Sequence, residues 1–246
     1  MSMAGTADQM EAIVLAGGFG TRLQKVVSDV PKPMAPMDES GTPFLAYLLQ
    51  ELAHQKVRRV VLSVGYLGDL SQKYFGDNFA GMEIRYSVEV SPLGTGGAVR
   101  MALGRCHGQD VFVLNGDTFF DVDLLTMLAM HRKQNSVFTL AAREMYDFQR
   151  YGTLDLDRDG RILEFKEKSF CQHGYINGGV YCISSSLGED MPAGPFSLEH
   201  DFMEKRVQEL LMYAFISKGY FIDIGIPEDY EKAKEYFSGI SRKYNK

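Results

Sequence analysis

The stretch AIVLAGGFGTRL, residues 12–23, decides the fold of this chain. Its apolar beginning, 12–16, predicts a fully buried strand. Three glycines, Gly17, Gly18 and Gly20, then leave the end of that strand without side chains. Backbone N–H groups in such a loop can point into a concave site and bind phosphate oxygens. The stretch therefore predicts a strand that ends at an anion-binding loop.

Two cations accompany the loop. Arg22 closes it, and Lys32 follows further along the chain, directly before Pro33. Loop and cations together indicate a site for a polyphosphate whose charge changes during reaction. The dinucleotide fingerprint G-x-G-x-x-G is excluded because Leu23 stands where its last glycine would be, and the pattern G-x-x-x-x-G-K-[ST] occurs nowhere. Taken alone, the loop could equally be a glycine turn with two solvated cations.

Length and composition predict one compact domain. The chain has 246 residues, of which 45% are hydrophobic and 24% charged, enough to bury one substantial core. Since no linker, repeat or low-complexity stretch interrupts it, we expect a flexible tail at 1–9 and a single domain at 10–246. The net charge of −6 argues against nucleic acid as a partner, because binding to a phosphate backbone needs a basic face.

The sequence shows no targeting signal and no metal-binding pattern. The first residues lack an apolar core of signal-peptide length and no apolar run approaches a membrane span, so we expect a cytoplasmic protein without membrane contact. Cys106, Cys171 and Cys182 are an odd number without C-x-x-C spacing, which predicts neither a disulfide framework nor a zinc site.

Predicted strands and helices alternate along the first half, and the second half is richer in strands. The predicted strands are 12–16, 59–64, 83–89, 110–114, 136–142, 152–157, 161–167, 175–183, 212–217 and 220–224. The predicted helices are one from Phe44 capped by Thr42-Pro43, 96–103, 122–133, one capped by Ser197 and one from Pro227. In the helix at 122–133 we expect Leu125, Leu128 and Ala129 to face the core. This order implies three layers around a mostly parallel sheet.

Six dispersed segments, in order, resemble the sugar nucleotidyltransferases, also called nucleotide-sugar pyrophosphorylases. They are AGGFGTRL with Lys32-Pro33, SPLGTGGA at 91–98, LNGD at 114–117, Tyr151-Gly152 with Glu167-Lys168, NGGVY at 177–181 and IDIG at 222–225. The resemblance covers 12 to about 230. It implies a three-layer α/β/α Rossmann-like fold with a mixed, mostly parallel central sheet and a β-rich sugar-binding insertion. It also implies a nucleotide half at about 10–145 and a sugar half at about 146–246.

The resemblance implies a reaction and a catalytic set. In this family a sugar 1-phosphate attacks the α-phosphorus of a nucleoside triphosphate in line and expels pyrophosphate. Arg22 and Lys32 match the family positions that hold the triphosphate, and Asp117 with Asp223 match the aspartates that hold Mg²⁺. Two carboxylates with phosphate oxygens suffice for this ion. Arg22, Lys32 and Asp117 are therefore the expected catalytic residues.

A second set matches the family's nucleotide-binding positions. Its members are Leu15, Ala16, Gly17, Gly18, Gly20, Thr21, Glu89, Gly94, Thr95, Asn115 and Gly116. Glu89 matches the position that binds the edge of the base. An ionised glutamate only accepts hydrogen bonds, and guanine presents two adjacent donors, so Glu89 favours GTP. Alternatively, Glu89 is an exposed glutamate at the end of a strand.

A third set matches the family's sugar-phosphate-binding positions: Tyr151, Gly152, Glu167, Lys168, Asn177 and Gly178. Lys168 would bind the phosphate, Glu167 and Asn177 would accept sugar hydroxyls, and the two glycines would let the backbone approach the sugar. Ser169 replaces the family's proline after Glu167-Lys168, which puts the placement of Lys168 in doubt. Lys166 shares a strand face with Lys168, so either could reach the phosphate.

Within the family, the segments at 196–199 and 221–230 look most like the bacterial D-glycero-α-D-manno-heptose 1-phosphate guanylyltransferases. This implies GTP and a heptose 1-phosphate as substrates, with GDP-heptose used for capsule, S-layer or O-antigen glycans. Mannose 1-phosphate guanylyltransferases and uridylyl- or cytidylyltransferases of other sugar phosphates are alternatives. A catalytically silent nucleotide-sugar sensor is a further one, disfavoured because Arg22, Lys32, Asp117 and Asp223 are all present. A homo-oligomer is possible.

Overall fold

The computed structural model describes residues 9–17, 30–65, 67–166 and 168–244, with the backbone alone at 240–244. Most of the predicted tail at 1–9 thus lies outside the described residues. So do Gly18, Gly20, Thr21 and Arg22 of the first loop, and Glu167.

The described part of the chain forms twelve strands. They are β1 (Glu11–Leu15), β2 (Arg59–Val64), β3 (Asn78–Phe79), β4 (Met82–Val88), β5 (Asp110–Asn115), β6 (Thr118–Phe120), β7 (Phe138–Phe148), β8 (Thr153–Leu156), β9 (Ile162–Lys166), β10 (Cys171–Ser184), β11 (Met212–Ser217) and β12 (Phe221–Asp223). The main sheet has the order β11-β7-β10-β5-β1-β2-β4-β3, with β8 and β9 attached to β10.

The main sheet is mixed and mostly parallel. β5, β1, β2 and β4 are parallel neighbours, and β11 is parallel to β7. Because β10 is antiparallel to both β5 and β7, six of the eight strands on this path point the same way and only β10 and β3 oppose them. The predicted sheet is confirmed.

Helices cover both faces of the sheet. They are α1 (Phe44–His54), α2 (Gly68–Phe75), α3 (Gly94–Leu103), α4 (Leu124–Lys133), α5 (Leu187–Asp190), α6 (Glu204–Arg206) and α7 (Pro227–Tyr244), with a 3-10 turn at Lys32–Met34 and a π-helix at Leu198–Met203. Alternate side chains of β1 enter different cores. Ala12 and Val14 pack in the core with α1, α4 and α7, whereas Ile13 packs in the core with α3 and the π-helix. The three-layer arrangement follows.

Two smaller strand pairs depart from the main path. β8 and β9 form the predicted hairpin, closed by Asp157, whose carboxylate accepts from the N–H groups of Asp159 and Arg161. β12 pairs antiparallel with β6 in a separate sheet, where Asp223 is opposite Thr118. This second pairing brings the chain after residue 220 back to the end of β5.

Several local expectations were wrong. In α4 the buried residues are Leu124, Met127 and His131, whereas Leu125 and Ala129 are exposed and Leu128 is half-buried. No side chain caps the N-terminus of α1, where Pro43 is the first residue before the helix. The sequence analysis also missed α2, β3 and β6. The cap by Ser197 is confirmed, since its hydroxyl accepts from the N–H of His200, although the helix it caps is a π-helix.

Among the described residues, none of the helices combines the length and apolarity that crossing a bilayer requires.

Candidate active site

A pocket of about 730 Å³ opens where the parallel strands end. Since β1, β2, β4 and β5 point the same way, their carboxyl ends meet at one edge of the sheet, where α/β folds place their ligand sites. The volume lies in the range of small-ligand sites. The lining residues are Leu15, Gly17, Lys32, Pro33, Gly65, Glu89, Val90, Ser91, Pro92, Gly94, Thr95, Ala98, Asn115 and Asp117.

Backbone segments approach each other closely in the floor of the pocket. A Cβ on Gly17 would lie 3.0 Å from the nitrogen of Gly65 and 3.1 Å from a carboxylate oxygen of Glu89. A Cβ on Gly116 would lie 2.5 Å from the carbonyl oxygen of Leu15, to which the N–H of Gly116 donates at 2.9 Å. Ala16 is buried and donates its N–H to the carbonyl of Ser63. Glycines are therefore required here for close packing as well as for an open loop.

Glu89 follows β4 and is fixed by its own loop. Its Oε2 accepts from the N–H of Leu93 at 2.9 Å, and its Oε1 accepts from the hydroxyl of Ser63 at 3.4 Å. A carboxylate has about four acceptor positions, so roughly two of them are left for a ligand. Glu89 is half-buried and lines the pocket.

The second glycine loop is packed against residues far along the chain. A Cβ on Gly94, whose φ is +68°, would lie 2.5 Å from the carbonyl oxygen of Phe196, and a Cβ on Gly96 would overlap the ring of Phe196. The N–H of Gly96 donates to that carbonyl oxygen. The start of α3, and with it Thr95 in the pocket wall, is thus positioned by the segment before the π-helix.

Lys32, Asp117 and Asp223 come together, with Lys32 and Asp117 in the lining of the pocket and Asp223 outside it. The ammonium of Lys32 lies 3.2 Å from Oδ2 of Asp117, and its side chain is only 11% exposed. Asp117 follows β5, and its carbonyl accepts from the N–H of Ile224, which is next to Asp223. The resemblance assigns Lys32 to the triphosphate and Asp117 with Asp223 to Mg²⁺, and the structure brings the three residues together.

The pKa of Asp223 reflects its burial and the charges around it. Burial raises the pKa of Asp223 above its ordinary value of 3.8, and the negative charge of Asp117 raises it further. A hydrogen bond from the N–H of Gly225 and the charges of Lys32 and Arg150 act in the opposite direction. Two close carboxylates that repel each other form a site that a divalent cation can stabilise.

Tyr151 is near Asp223. Burial raises the pKa of the Tyr151 hydroxyl, and the negative charge of Asp223 raises it further. Its neighbour Arg150 donates to Asp229 at 2.6 Å and to the hydroxyl of Tyr151 at 3.3 Å. Sequence reasoning missed Arg150 and Asp229. Asp229 is in the first turn of α7, and no local pattern links it to Arg150.

Asn177 and Gly178 lie at an irregularity in β10, where the register with β7 shifts between Asn177 and Tyr181. Such bulges often re-aim side chains next to active sites. A Cβ on Gly178 would lie 2.4 Å from the ring of Phe120, and one on Gly179, with φ +71°, would lie 2.8 Å from the side-chain nitrogen of Asn115. Gly178 is therefore fixed by packing under Phe120.

Within the described ranges, none of the predicted sugar-site residues lines the pocket. Tyr151, Gly152, Lys168, Asn177 and Gly178 are all outside its lining, as is Asp223. Lys168 is exposed, and Lys166 forms an exposed ion pair with Asp155 at 3.1 Å. The pairing of Lys166 leaves Lys168 as the better placed of the two for a phosphate.

Several lining residues had no role in the site assigned to them from the sequence. Gly65 follows β2, a position at which the strand-end rule could have found it. Val90, Ser91 and Pro92 belong to the loop between Glu89 and Gly94, and Ala98 lies in the first turns of α3. No group of three or more His, Cys, Asp or Glu side chains is arranged to hold a metal within the described ranges.

Comparisons with known proteins agree with this geometry. The family described as nucleotidyl transferase matches residues 11–238. The chain is 46% identical over 227 residues to D-glycero-alpha-D-manno-heptose 1-phosphate guanylyltransferase of Aneurinibacillus thermoaerophilus, covering 92% of this chain and 97% of that protein. It is 42% identical over 222 residues to the protein of the same name from Campylobacter jejuni, covering 90% and 97%.

A solved structure is similar throughout. HddC from Yersinia pseudotuberculosis superimposes with a TM-score of 0.83 at 39% identity, covering 93% of this chain and 100% of that one. The structure of HddC complexed with GMP-PN superimposes with a TM-score of 0.81. The resemblance and the Rossmann-like fold expected from the sequence are confirmed. The chain thus belongs to the nucleotidyl transferase family and is an enzyme that transfers a nucleotidyl group.

Proposed function

We propose that this enzyme transfers a guanylyl group from GTP to D-glycero-α-D-manno-heptose 1-phosphate. An oxygen of the sugar phosphate attacks the α-phosphorus of GTP, the bond to the β-phosphate breaks, and GDP-heptose and pyrophosphate are released. One observation carries the proposal. The same pocket is lined by the half-buried carboxylate of Glu89 and by the ion pair of Lys32 with Asp117. The identity to two heptose 1-phosphate guanylyltransferases supports the choice of substrates.

Glu89 would select the base. Its two remaining acceptor positions match the N1–H and amino donors of guanine, whereas uracil and thymine present one donor between two acceptors. The bonds from Leu93 and Ser63 hold the carboxylate in place before the nucleotide binds, which reduces the entropy lost on binding.

Lys32 would neutralise charge on the phosphates. Its ammonium is held by Asp117 and is largely shielded from solvent, so its charge acts more strongly than it would in water. The resemblance assigns the same task to Arg22, and backbone N–H groups of the first glycine loop would bind further phosphate oxygens. These groups position GTP for in-line attack without a covalent intermediate on the protein.

Nucleotidyltransferases of this kind generally use a divalent metal ion, and we propose Mg²⁺. Asp117 and Asp223 fit it. Both are carboxylates, the charge of Asp117 contributes to the raised pKa of Asp223, and Mg²⁺ is commonly bound by one or two carboxylates with substrate phosphates. When bound, the ion would supply positive charge for the phosphates during transfer. Lys32, whose ammonium lies 3.2 Å from Asp117, would contribute a further positive charge beside this site.

The sugar 1-phosphate would bind beyond the metal site, between Tyr151 and the irregular part of β10. Lys168, exposed and unpaired in the part of the chain that the structure describes, would bind its phosphate, and Asn177 would contact a hydroxyl. Glu167, which the resemblance assigns to the sugar, lies outside the described residues. The cytoplasm remains our prediction for where the reaction takes place.

The test is a screen for pyrophosphate release with GTP, ATP, CTP, UTP and dTTP against heptose, mannose and glucose 1-phosphates. We expect GTP with the heptose 1-phosphate to give the highest kcat/KM. A Lys32→Ala enzyme provides the catalytic control, and we expect it to lose two or more powers of ten in turnover, about 3 kcal/mol. Preference for another nucleotide or sugar would contradict the substrate assignment. Nucleotide binding without pyrophosphate release would instead support a silent sensor.

A further inference from the structure

A chain of hydrogen bonds connects the nucleotide pocket to the predicted sugar site through Glu199, a residue of the π-helix. Its Oε2 accepts from the hydroxyl of Thr95 at 2.9 Å, and from Ser197 at 3.3 Å. Its Oε1 accepts from the hydroxyl of Tyr181 at 3.2 Å. Glu199 is half-buried, and none of these partners is near it in sequence except Ser197. Sequence reasoning gave it no role.

The second link is Tyr181, a residue of β10 that is completely buried. Its hydroxyl oxygen accepts from the side-chain nitrogen of Asn177 at 2.9 Å. A tyrosine hydroxyl has one hydrogen to donate and two lone pairs. The bonds with Glu199 and Asn177 use the hydrogen and one of the lone pairs.

The carboxylate fixes the direction of every bond in this chain. An ionised glutamate can only accept, so Tyr181 must give its hydrogen to Glu199 and must accept from Asn177. The side-chain oxygen of Asn177 accepts from the N–H of Gly179 at 2.9 Å, which fixes the orientation of the amide independently. Asn177 is therefore left with one N–H and one lone pair on its oxygen. The free N–H gives the site a donor, in addition to the acceptor for a sugar hydroxyl that the resemblance implies.

We propose that Glu199 is a positioning residue that, through Tyr181, sets Asn177 to donate to an oxygen of the sugar 1-phosphate. This inference rests on the proposed function, because it concerns the acceptor substrate of that same site. Through Thr95, whose oxygen accepts from the N–H of Leu198, the same carboxylate fixes the start of α3. Glu199 thus holds a wall of the nucleotide pocket and a donor of the sugar site in one arrangement.

The test is Glu199→Gln, which keeps shape but adds a donor. The amide can give a hydrogen to Tyr181 or Thr95, which removes the fixed direction. We expect kcat/KM for the sugar 1-phosphate to fall at least tenfold, mainly through KM, while KM for GTP changes less than threefold. Glu204→Gln is the matched control, because Glu204 is exposed and pairs only with His200 among the described residues. It should behave as wild type.

A double-mutant cycle separates this role from a merely structural one. Tyr181→Phe removes the acceptor for Asn177, so adding Glu199→Gln to it should cost almost nothing further in kcat/KM. The proposal would be overturned if the losses in kcat/KM of the two single variants added up in the double variant. It would also be overturned if KM rose equally for both substrates and the melting temperature fell in parallel. Wild-type kinetics of Glu199→Gln would overturn it too.

If Glu199→Gln does not fold, Asn177→Asp and Asn177→Ala test directly whether Asn177 acts as a donor. Asp can accept but not donate, so both variants should lose at least tenfold in kcat/KM for the sugar 1-phosphate. An active Asn177→Asp enzyme would show that acceptance is the role and would overturn the inference. Wild-type turnover tests the proposed function separately, and the variants are compared with it on whichever sugar 1-phosphate the wild type uses.

Discussion

At the scale of single residues, the paired aspartates give the sharpest prediction. Asp223→Asn and Asp117→Asn should each abolish pyrophosphate release. Asp223→Asn should not lower the melting temperature of the metal-free enzyme, whereas Asp117→Asn should lower it because it removes the partner of the shielded Lys32 ammonium. The raised pKa of Asp223 means that its ionised form is disfavoured in the folded protein, so its stabilising contribution is lost as pH rises above that pKa. At pH 7, removing the charge of Asp223 should leave the fold unharmed or slightly more stable.

The measurement combines turnover with melting curves recorded in EDTA and in Mg²⁺. Mg²⁺ should raise the melting temperature of the wild type but of neither variant, since ligand binding stabilises only a protein that binds it. Asp159→Asn, an exposed aspartate of the β8–β9 turn, is the control. Turnover that survives EDTA would contradict the two-aspartate metal site.

Glu89 gives a second prediction at this scale. Inosine triphosphate lacks the exocyclic amine of guanine, so one of the carboxylate's charged hydrogen bonds would be missing. Such a bond is worth about 1.5 to 3 kcal/mol, which predicts a ratio of GTP to ITP in kcat/KM of roughly tenfold to a hundredfold. Glu89→Gln keeps an oxygen for the N–H of Leu93, so the loop should persist while the ratio shrinks. Equal use of GTP and ITP by the wild type would refute the contact with the base.

At the scale of elements, α4 shows where a sequence pattern is ambiguous. Its sequence, LLTMLAMHRK, carries apolar residues on more than one face, and the interpretation that placed Leu125, Leu128 and Ala129 inward was wrong. Asp123 caps the N-terminus of the helix, because its carboxylate accepts from the N–H of Thr126. Within the helix, Leu124, Met127 and His131 face the core. The hydroxyl of Thr139 lies 2.8 Å from the His131 ring, a partner that sequence alone does not reveal.

The start of α3 can be tested through its glycines. Gly94→Ala would place a Cβ 2.5 Å from a backbone oxygen at a positive φ, so we expect a loss of about 1–3 kcal/mol in stability and a higher KM for GTP. The matched control is Gly104→Ala at the other end of the helix, where φ is −62° and the nearest contact is 3.5 Å. That change should be neutral or slightly stabilising. Equal effects in urea unfolding would contradict this account.

The turn before α1 predicts a dependence on pH. Burial alone would raise the pKa of Asp38, but hydrogen bonds from Thr42, Ser40 and Tyr47 outweigh it and lower the pKa to about 2. Because the folded pKa is depressed, this stabilisation is present above the ordinary pKa of 3.8 and is lost as pH falls through about 2. Since Asp38 is partly exposed, we expect Asp38→Asn to cost only about 1 kcal/mol at pH 7.

Melting curves at pH 7, 5 and 3 provide the measurement. The difference between wild type and Asp38→Asn should be equal at pH 7 and 5 and smaller at pH 3. Glu39→Gln, an exposed neighbour, is the control and should show little difference at any pH. A difference that stays constant down to pH 3 would mean that the carboxylate charge is not what holds the turn.

At the scale of the whole molecule, the sequence predicted the layers and the edge that carries the site, because hydrophobic periodicity and strand-end glycines are local signals. Eight of the predicted residues line one pocket. Contacts between distant segments could not be predicted in the same way. Glu199 reaches Thr95 across 104 positions, and Arg150 reaches Asp229 across 79. Nothing in a local pattern specifies such partners.

The path of β10 yields the last prediction. Although it belongs to the second half of the chain, it lies in the sheet between β5 and β7 of the first half and pairs with both. β12 likewise pairs with β6. A fragment of residues 10–145 would therefore expose unpaired strand edges and the apolar faces that β10 covers. The nucleotide and sugar halves should be regions of one folding unit.

We expect the full chain to unfold in a single thermal transition, with helix content by far-UV circular dichroism and the fluorescence of its 13 tyrosines changing at the same temperature. The fragment 10–145 should show no cooperative transition. The full chain with Gly104→Ala is the control for a harmless change. Two separate transitions, or a fragment that melts cooperatively, would contradict the single domain, because each half would then possess a core that does not depend on β10.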